Sequence, residues 1–513
     1  MSQAKVKILI TAAEAYPELE RMFLTAQTEI ELGFRIFDPQ TRLLSPEAQA
    51  VGDTWFHLII HTLKRGVRLR FVLADFDPVA GAAEHRGTWH AVRQLAAARE
   101  IAGPQAQLEV IAAMHPAKMG LLPRLLLWAK IRTQLRSHCK DINALDPDQR
   151  ARALREMPAL RPNLPCQPSG PWVPRLGNLP FLRSATHHQK LAVADQRVLY
   201  IGGLDLNNRR IDTPDHTLPA DQTWHDVQLL ITDSPAVQAA HNHLVGFLDV
   251  VAQRRPAAPP APPFLRTLST KRRFRLPFMS PASHVTELSE AHHRLSAQAK
   301  QLIYLETQFF RDLRYARQLA RLARANPALR LILVLPAAPD DVAFGNSGRM
   351  DARFGEYLQA RCLRIVRRGF GTRLTTAAPV QRRAAKSHKR DTLHGAPLIY
   401  VHAKVSIFDD AAAIVSSANL NGRSLAWDTE AGVLLDDAAH VRDLRQRCFA
   451  HWFPEETGGA LFDLATAQPA WRGVLHKNRQ LPPDQRRGLL VPYDLTPAEQ
   501  MGQALPLIPP EMV

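Results

Sequence analysis

One chemical pattern occurs twice in this chain, 214 residues apart. From His188, the offsets +2, +7, +17, +19 and +21 hold Lys190, Asp195, Asp205, Asn207 and Arg209. From His402, the same offsets hold Lys404, Asp409, Asn419, Asn421 and Arg423. One Asp-for-Asn exchange separates the two sets. Chance supplies one such match, hardly five of matching chemistry, so the halves read as duplicated units.

The surrounding pattern agrees. At 513 residues the chain is too long for one ordinary core, and about 100–200 residues per domain gives several. Arg254–Pro263 (RRPAAPPAPP) continues neither a helix nor a central strand and starts a linker to about Pro281. The expected division is 1–253, a linker 254–281, 282–466 and a Pro-rich arm 467–513, extended over the surface or partly disordered. On each side a helical pattern (Glu14–Ala26, Glu287–Ala299) precedes a buried strand (Thr28–Phe37, Gln301–Phe310). Further β-like runs follow at Val67–Leu73 and Leu329–Leu335. Strands alternating with helices predict α/β units with mixed or parallel sheets.

Each motif reads as a strand. His188 and Lys190 are two apart and share a side, with Gln189, Leu191 and Val193 opposite. His187 points the other way and reads as structural. Val198–Gly203 and Ala413–Ser417 supply the next strand in each half. A pseudo-twofold would bring both copies to one cleft, where two imidazoles, two ammoniums and several amides converge on one anion.

That set suits phosphoryl transfer. Attack at phosphorus gathers charge on the non-bridging oxygens, where Lys190 and Lys404 supply positive charge and Asn419 an amide donor. One neutral histidine attacks and forms a phosphohistidine, while the other, protonated, donates to the leaving oxygen. A carboxylate beside each imidazole holds its tautomer; Asp226 and Glu430, each downstream of its own motif, are the candidates. Two lysines make a metal unnecessary, and no dense Asp/Glu/His cluster is visible in the sequence, so neither metal nor cofactor is expected.

The motif segments HHQKLAVADQRVLYIGGLDLNNR and VHAKVSIFDDAAAIVSSANLNGRS, with YLETQFF at Tyr304–Phe310 and TWHDV at Thr223–Val227, resemble the phospholipase D superfamily. The resemblance runs roughly from Glu14 to Phe453. It implies two α/β/α sandwich lobes with the site between them and a covalent phosphohistidine on His188, with His402 as the acid. It implies that Asp195 and Asp409, listed by motif among the catalytic residues, orient the motif rather than carry protons. Asp205, Asn207, Asn419 and Asn421 are the implied substrate-binding set, and Asp226, Gln308, Ser417 and Glu430 the supporting one. Asp205 stands where many members carry Asn. GGLDL, WHDV and ETQFF favour lipid-hydrolysing members, so hydrolysis of a glycerophospholipid, or transfer of its phosphatidyl group, is the expected reaction. The alternatives are a cardiolipin synthase-type phosphatidyltransferase and a metal-independent nuclease.

Lys and Arg exceed Asp and Glu by 65 to 48, a field that concentrates nucleic acid, anionic lipid or phosphorylated small molecules alike. Cys139, Cys166, Cys362 and Cys448 form no C-x-x-C pair and read as reduced thiols of a cytoplasmic protein. No signal peptide or membrane span is apparent in the sequence. A lipid substrate is therefore met at an anionic membrane surface by a peripheral, monomeric protein. Ala117–Lys140 reads after Pro123 as a helix with a Leu/Trp face and basic Arg124, Lys130, Arg132 and Arg136. It either packs on the lobe or lies on a membrane. Arg382–His394 is a basic stretch suited to headgroups at the cleft mouth, a phosphate backbone or a solvated loop.

Overall fold

The computed structural model describes residues 4–164, 171–175, 177, 179–386 and 389–513. Cys166, and Ser387 and His388 of the basic stretch, lie outside them. Strands β1 (Lys5–Ile10), β2 (Glu29–Phe34), β3 (Arg68–Asp75), β4 (Leu108–Met114), β5 (Lys190–Ala194), β6 (Val198–Gly202) and β7 (Val227–Thr232) form one sheet. Its order is β1-β7-β6-β5-β2-β3-β4. The second sheet begins with β8 (Phe264–Thr270), β9 (Ala282–Thr286), β10 (Leu302–Thr307), β11 (Arg330–Val334) and β12 (Leu374–Pro379). A separate ribbon, β13 (Thr392–Leu393) and β14 (Ala396–Pro397), follows. The strands β15 (Lys404–Phe408), β16 (Ala412–Ser416), β17 (Glu430–Leu435) and β18 (Leu490–Pro492) complete the second sheet. Its order is β18-β12-β11-β10-β15-β16-β17-β8-β9.

The duplication is written in the topology. The run β4-β3-β2-β5-β6-β7-β1 matches β12-β11-β10-β15-β16-β17-β8 strand for strand. Only β2–β3, β3–β4, β10–β11 and β11–β12 are parallel, again in equivalent places. Register repeats as well. Leu191 faces Ile201 and Val405 faces Val415, at equal distances from their histidines. The bridges Phe37–Leu206 and Phe310–Leu420 also correspond.

Both motif strands are buried throughout, and their alternation sorts them between two cores. Leu191 and Val193 meet Val405, Ile407 and Val433 in a core shared by the two sheets. Ala192 and Ala194 face the outer layer of the first sheet, with Tyr16, Phe23 and Trp55. The second sheet's outer layer packs Leu305 and Ile414 on Leu319, Leu358 and Leu363. The fold is therefore mixed α/β with two equivalent lobes, back to back through one apolar layer.

Two expectations are corrected. The linker is interrupted by β8, whose LRTLST alternation is obscured by the flanking basic and proline residues; it is the counterpart of β1 and pairs with β17. The C-terminal arm is structured: helix Ala467–Gln480 buries Trp471 and Leu475 in the shared core, and β18 pairs with β12. Its prolines fall in the connections and at helix and strand ends, where no ladder hydrogen bond is lost. The apolar start of the chain is β1, paired with β7.

Ala117–Lys140 divides at Leu127 into helices Leu121–Leu126 and Trp128–Asn143. The second buries Ile131, Leu135 and Cys139 against Met119 and Leu182. The first leaves Leu121, Leu122, Leu125 and Leu126 exposed. The packing reading thus holds for the second helix, while the first keeps its leucines exposed. No helix among the described residues is long and apolar enough to cross a membrane.

Candidate active site

The two lobes stitch together through the motif histidines. His188 N donates to Thr429 O at 2.8 Å, and Thr429 N to Thr186 O at 2.9 Å. Across the pseudo-twofold, His402 N donates to His225 O and His225 N to Tyr400 O, both at 2.8 Å. Each histidine therefore starts its strand against the other lobe's carboxylate segment.

This exchanges the carboxylates. His188 Nδ1 lies 3.0 Å from Glu430 Oε1 and 3.1 Å from Oε2. His402 Nδ1 lies 2.7 Å from Asp226 Oδ2. Asp226 and Glu430 do hold imidazoles, but each holds that of the other lobe's motif. Donation from Nδ1 leaves each Nε2 as the nitrogen available for chemistry. Ser417 Oγ hydrogen-bonds Glu430 Oε2 and fixes that carboxylate in turn.

The lysines lie beside them. Lys190 Nζ donates to His188 O and sits 3.7 Å from Asp205 Oδ2. Lys404 Nζ donates to His402 O and lies 2.9 Å from His402 Nδ1. All these groups are removed from water, and burial disfavours each charged form. Burial pushes Asp226 up to about 7 and Glu430 up to about 8. It pushes Lys404 down to about 7 and lowers Lys190 too. Burial, then the neighbouring cations Lys190 and Arg35, hold the His188 imidazole well below its ordinary value. Burial, then Lys404 and Arg210, do the same for His402. The site without an anion thus favours neutral imidazoles, the form a nucleophile needs. An entering phosphodiester adds negative charge and raises both.

A cavity of 810 Å³ opens onto His188, Asn419, Asn421 and Arg423. Asn419 Oδ1 is buried without a partner, whereas Asn421 Oδ1 caps the helix Gly422–Ala426 through Ser424 N at 2.9 Å. Arg423 is braced by Asp428 at 2.8 Å. Val79, Met119, Leu127, Leu182 and Met279 form an apolar wall.

Other expected residues are elsewhere. Asp205 and Asn207 do not line this cavity. Asp205 Oδ1 accepts from Ile36 N at 2.9 Å and its other oxygen faces Lys190, so the carboxylate is engaged beneath the site. Asn207 starts the turn at 208–210 with its Oδ1 buried. Gln308 donates to the Tyr400 hydroxyl at 2.8 Å. Arg209 bridges Thr223 O and Asp340. Asp195 and Asp409, counted by motif with the catalytic set, sit at the far ends of β5 and β15. Asp195 accepts from the backbone N–H groups of Gln27, Thr28 and Glu29 at 2.9, 2.8 and 3.1 Å. Asp409 accepts from Lys300, Gln301 and Leu302 at 2.8, 3.0 and 2.8 Å. They take the left-handed turn after each strand, at φ 50° and 53°, and tie it to the start of β2 or β10. His187 bonds Thr429 Oγ1 at 2.8 Å, away from the cleft.

Sequence reasoning missed Arg35, which lines the cavity at the end of β2, and Arg311, which does so after β10. Both follow a phenylalanine at the exit of a strand adjacent to a motif strand, a signal open to reading. It also missed a histidine cluster. His216, His225 and His451 offer ring nitrogens within 4.8 Å of one another, a group assembled in space where no dense cluster is visible in the sequence. They come from a loop, the WHD segment and the helix Ala438–Trp452, so no spacing reveals them. His216 and His451 bond Nε2 to Nε2 at 3.0 Å, and His225 lies against His451 with ring centroids at 4.3 Å. Asp212 and Glu306 bond His216 and His225 from behind. The set is the one among the buried described residues able to offer three nitrogens to a metal; the other candidate, Glu29, Glu31 and His241, is less buried.

Residues 293–452 match a family model described as cardiolipin synthase, PLD-like domain. Curated phospholipases D match up to half of the chain. Phospholipase D1 of Schizosaccharomyces pombe is 23% identical over 352 residues, covering 50% of this chain and 25% of that protein. Phospholipase D zeta 1 of Arabidopsis thaliana is 26% identical over 268 residues, covering 45% and 23%. The chain is similar to the phospholipase D superfamily. Phospholipase D2 of Bos taurus is similar too, 22% identical over 358 residues with 49% and 38% covered. The match spans well under half the length of each of these relatives. Among solved structures, the chain is similar to phosphatidylserine synthase of Haemophilus influenzae, at a TM-score of 0.48 and 14% identity over 93% of this chain and 95% of that one.

Proposed function

We propose that this chain is a phospholipase D-type phosphodiesterase that cleaves the headgroup from a glycerophospholipid through a phosphohistidine. One observation carries the reading: the exchange of carboxylates, which ties back Nδ1 of two neighbouring imidazoles, His188 on the cavity wall and His402 behind it. His188, on the cavity wall, attacks phosphorus through Nε2. Its Nδ1–H stays on Glu430, which steadies the growing positive charge on the ring. The P–O bond to the headgroup breaks, and His402 gives its proton to the leaving oxygen. The Asp226–His402 pair holds one proton near neutrality, and phosphate charge drives it onto the ring. Lys190, Lys404 and Asn419 stabilise the equatorial oxygens. In the second step His402 takes a proton from water, which attacks phosphorus and releases phosphatidic acid and His188.

The apolar wall favours a diacylglycerol portion over a polynucleotide, which would ask for a charged, open groove. An alcohol that occupies the water's place gives phosphatidyl transfer by the same steps, and the name of the matching family model favours that second reading. The test is incubation of the purified chain with phosphatidylcholine and phosphatidylglycerol in EDTA, with and without ethanol. Phosphatidic acid alone identifies hydrolysis, and phosphatidylethanol identifies transfer. Cleavage of single-stranded DNA without either lipid product overturns the lipid reading.

A further inference from the structure

The lipid reading leaves open how a chain with no membrane-spanning helix among its described residues reaches its substrate. The exposed apolar side chains are not scattered. Leu121, Leu122, Leu125 and Leu126 stand out on one short helix, joined by Phe181 and Phe274. Leu276 and Phe278 extend the group, so eight of the thirteen exposed large apolar residues among those described fall in three segments. The segments are tied together. Gly120 N donates to Phe278 O at 2.9 Å, Leu122 N to Leu276 O at 3.1 Å, and Arg124 Nη1 to Leu179 O at 3.0 Å. This is one surface, and apolar surface left in water at that scale marks a partner.

Its charge says which partner. Lys118, Arg124 and Arg275 stand over the Phe181 ring at 4.3, 4.5 and 5.4 Å, and Arg272 over Phe278 at 4.4 Å. Residues 117–140 and 254–286 contain no Asp or Glu. None of these four cations has a carboxylate partner among the described residues. Lys118 is lowered by burial and then by the mutual repulsion of Arg183, Arg275 and Arg124, as expected of a cluster that lacks its counter-anion. Lys118, Arg272 and Arg275, whose charged ends lie over aromatic rings beside exposed leucines, match the boundary between phosphate headgroups and acyl chains, while the buried Arg124 is spent on the Gly120 and Leu179 carbonyls.

The surface also leads inward. Met119, Leu127, Leu182 and Met279 line the cavity that holds His188. Each is a chain neighbour of a patch segment, so an apolar path joins the exposed leucines to the catalytic histidine. We propose that the surface built by 118–126, Phe181 and 272–278 docks the protein on an anionic bilayer, beside the mouth through which a lipid headgroup reaches His188. The proposal rests on the glycerophospholipid reading.

Sedimentation of the full chain with vesicles tests it, using phosphatidylcholine alone and phosphatidylcholine with about one third phosphatidylglycerol. Turnover is measured in parallel on those vesicles and on monomeric dihexanoyl-phosphatidylcholine. The variant Leu122→Glu/Leu126→Glu changes two exposed side chains outside the cavity wall. The wild type is expected to bind anionic vesicles at least about tenfold more tightly than the variant, and to weaken in 0.5 M salt, roughly one Debye length of 4 Å. The variant is expected to keep its short-chain turnover and lose vesicle turnover. Three results overturn the proposal: no binding of wild type to anionic vesicles, unchanged binding by the variant, or a wild-type dimer that the variant dissolves, which makes the patch a contact between copies. Vesicle binding as expected with no turnover of either lipid instead overturns the lipid reading and leaves the docking face standing.

Discussion

The two copies of the motif share one topology and differ in their surroundings. His188 opens to the cavity, with 13% of its side chain exposed, whereas His402 keeps 6% and lies under Trp224, ring centroids 4.6 Å apart. Lys190 has the Asp205 carboxylate 3.7 Å away. Lys404 has Asn419 at the equivalent position and, among the described residues, no carboxylate within salt-bridge distance, and burial takes it down to about 7. Duplication supplied the same parts twice. Divergence left one histidine facing the cavity with a lysine beside a carboxylate, and the other enclosed beside an ammonium lowered to about 7. The same groups can thus serve as attacker and as proton donor.

The sharpest break of this comparison is to delete each histidine in turn. His188→Ala and His402→Ala should each lose at least about 10⁴-fold in kcat on a phospholipid. On a substrate with a p-nitrophenyl leaving group, which departs unprotonated, His402→Ala should recover much of the first step and His188→Ala none. Burst kinetics read the difference, and equal recovery would remove the division of roles.

The exchanged carboxylates come next. Glu430→Gln should cost about 10²–10⁴-fold in kcat by releasing the His188 tautomer, and Asp226→Asn a similar amount through His402. Stability should move oppositely. The Asp226 carboxyl is raised from 3.8 to about 7 by burial. Its contribution is full below about pH 4 and is lost as pH rises through about 7. Asp226→Asn should therefore be more stable than wild type to urea at pH 8 and not at pH 4. A loss of stability at pH 8 would mean the carboxylate's bonds outweigh its burial.

Most of the site was legible because the repeat is linear in sequence. Both histidines, both lysines, Asn419 and Asn421 follow from offsets alone. The exchange was not, since it depends on which edge of one lobe meets the other. No spacing within HHQKLAVAD or DTEAG encodes that His188 N will bond Thr429 O. The start of the second lobe was hidden for a chemical reason. In β8 the alternation of FLRTLST is flanked by prolines before and arginines after, which read together as linker. The structured tail was masked similarly, by prolines that sit between its elements.

The pH profile sharpens the comparison through Lys404. Its ammonium is lost near pH 7 in the free site, so kcat/KM should fall about tenfold per pH unit above that point. His188 is neutral well below 6.5, so the acid limb lies lower and the optimum falls on the acid side of neutrality. Bound phosphate favours the charged lysine, which should place the alkaline limb of kcat above that of kcat/KM. Coincident limbs would detach Lys404 from phosphate binding.

The turns behind the two motif strands differ more modestly. Asp195 accepts three backbone N–H groups and the Thr28 hydroxyl, and Asp409 three N–H groups alone. Both are partly exposed, so solvent screens these bonds. Asp195→Ala should cost roughly 1–3 kcal/mol and Asp409→Ala slightly less, read from urea unfolding, while kcat per folded molecule stays near wild type. A kcat collapse at full stability would return these carboxylates to the chemistry.

The smallest effect should come from making the copies alike. Asp205→Asn gives the first copy the second's amide and removes the partner of Lys190, 3.7 Å away. Asp205 lies behind the lysine rather than on the cavity wall, so kcat/KM at pH 6 should stay within about threefold, less than half a pK unit's worth of interaction. The change belongs at higher pH, since Lys190 is already lowered by burial and Asp205 is the first of the groups that raise it again. Without that carboxylate Lys190 should be lowered further, towards Lys404, and the alkaline limb should steepen. Asn419→Asp, the reverse exchange, puts a carboxylate on the wall that faces phosphate and should cost roughly tenfold more than Asp205→Asn at pH 6. If the two exchanges prove equivalent, the lysines are interchangeable and the asymmetry of the cleft resides in the histidines alone.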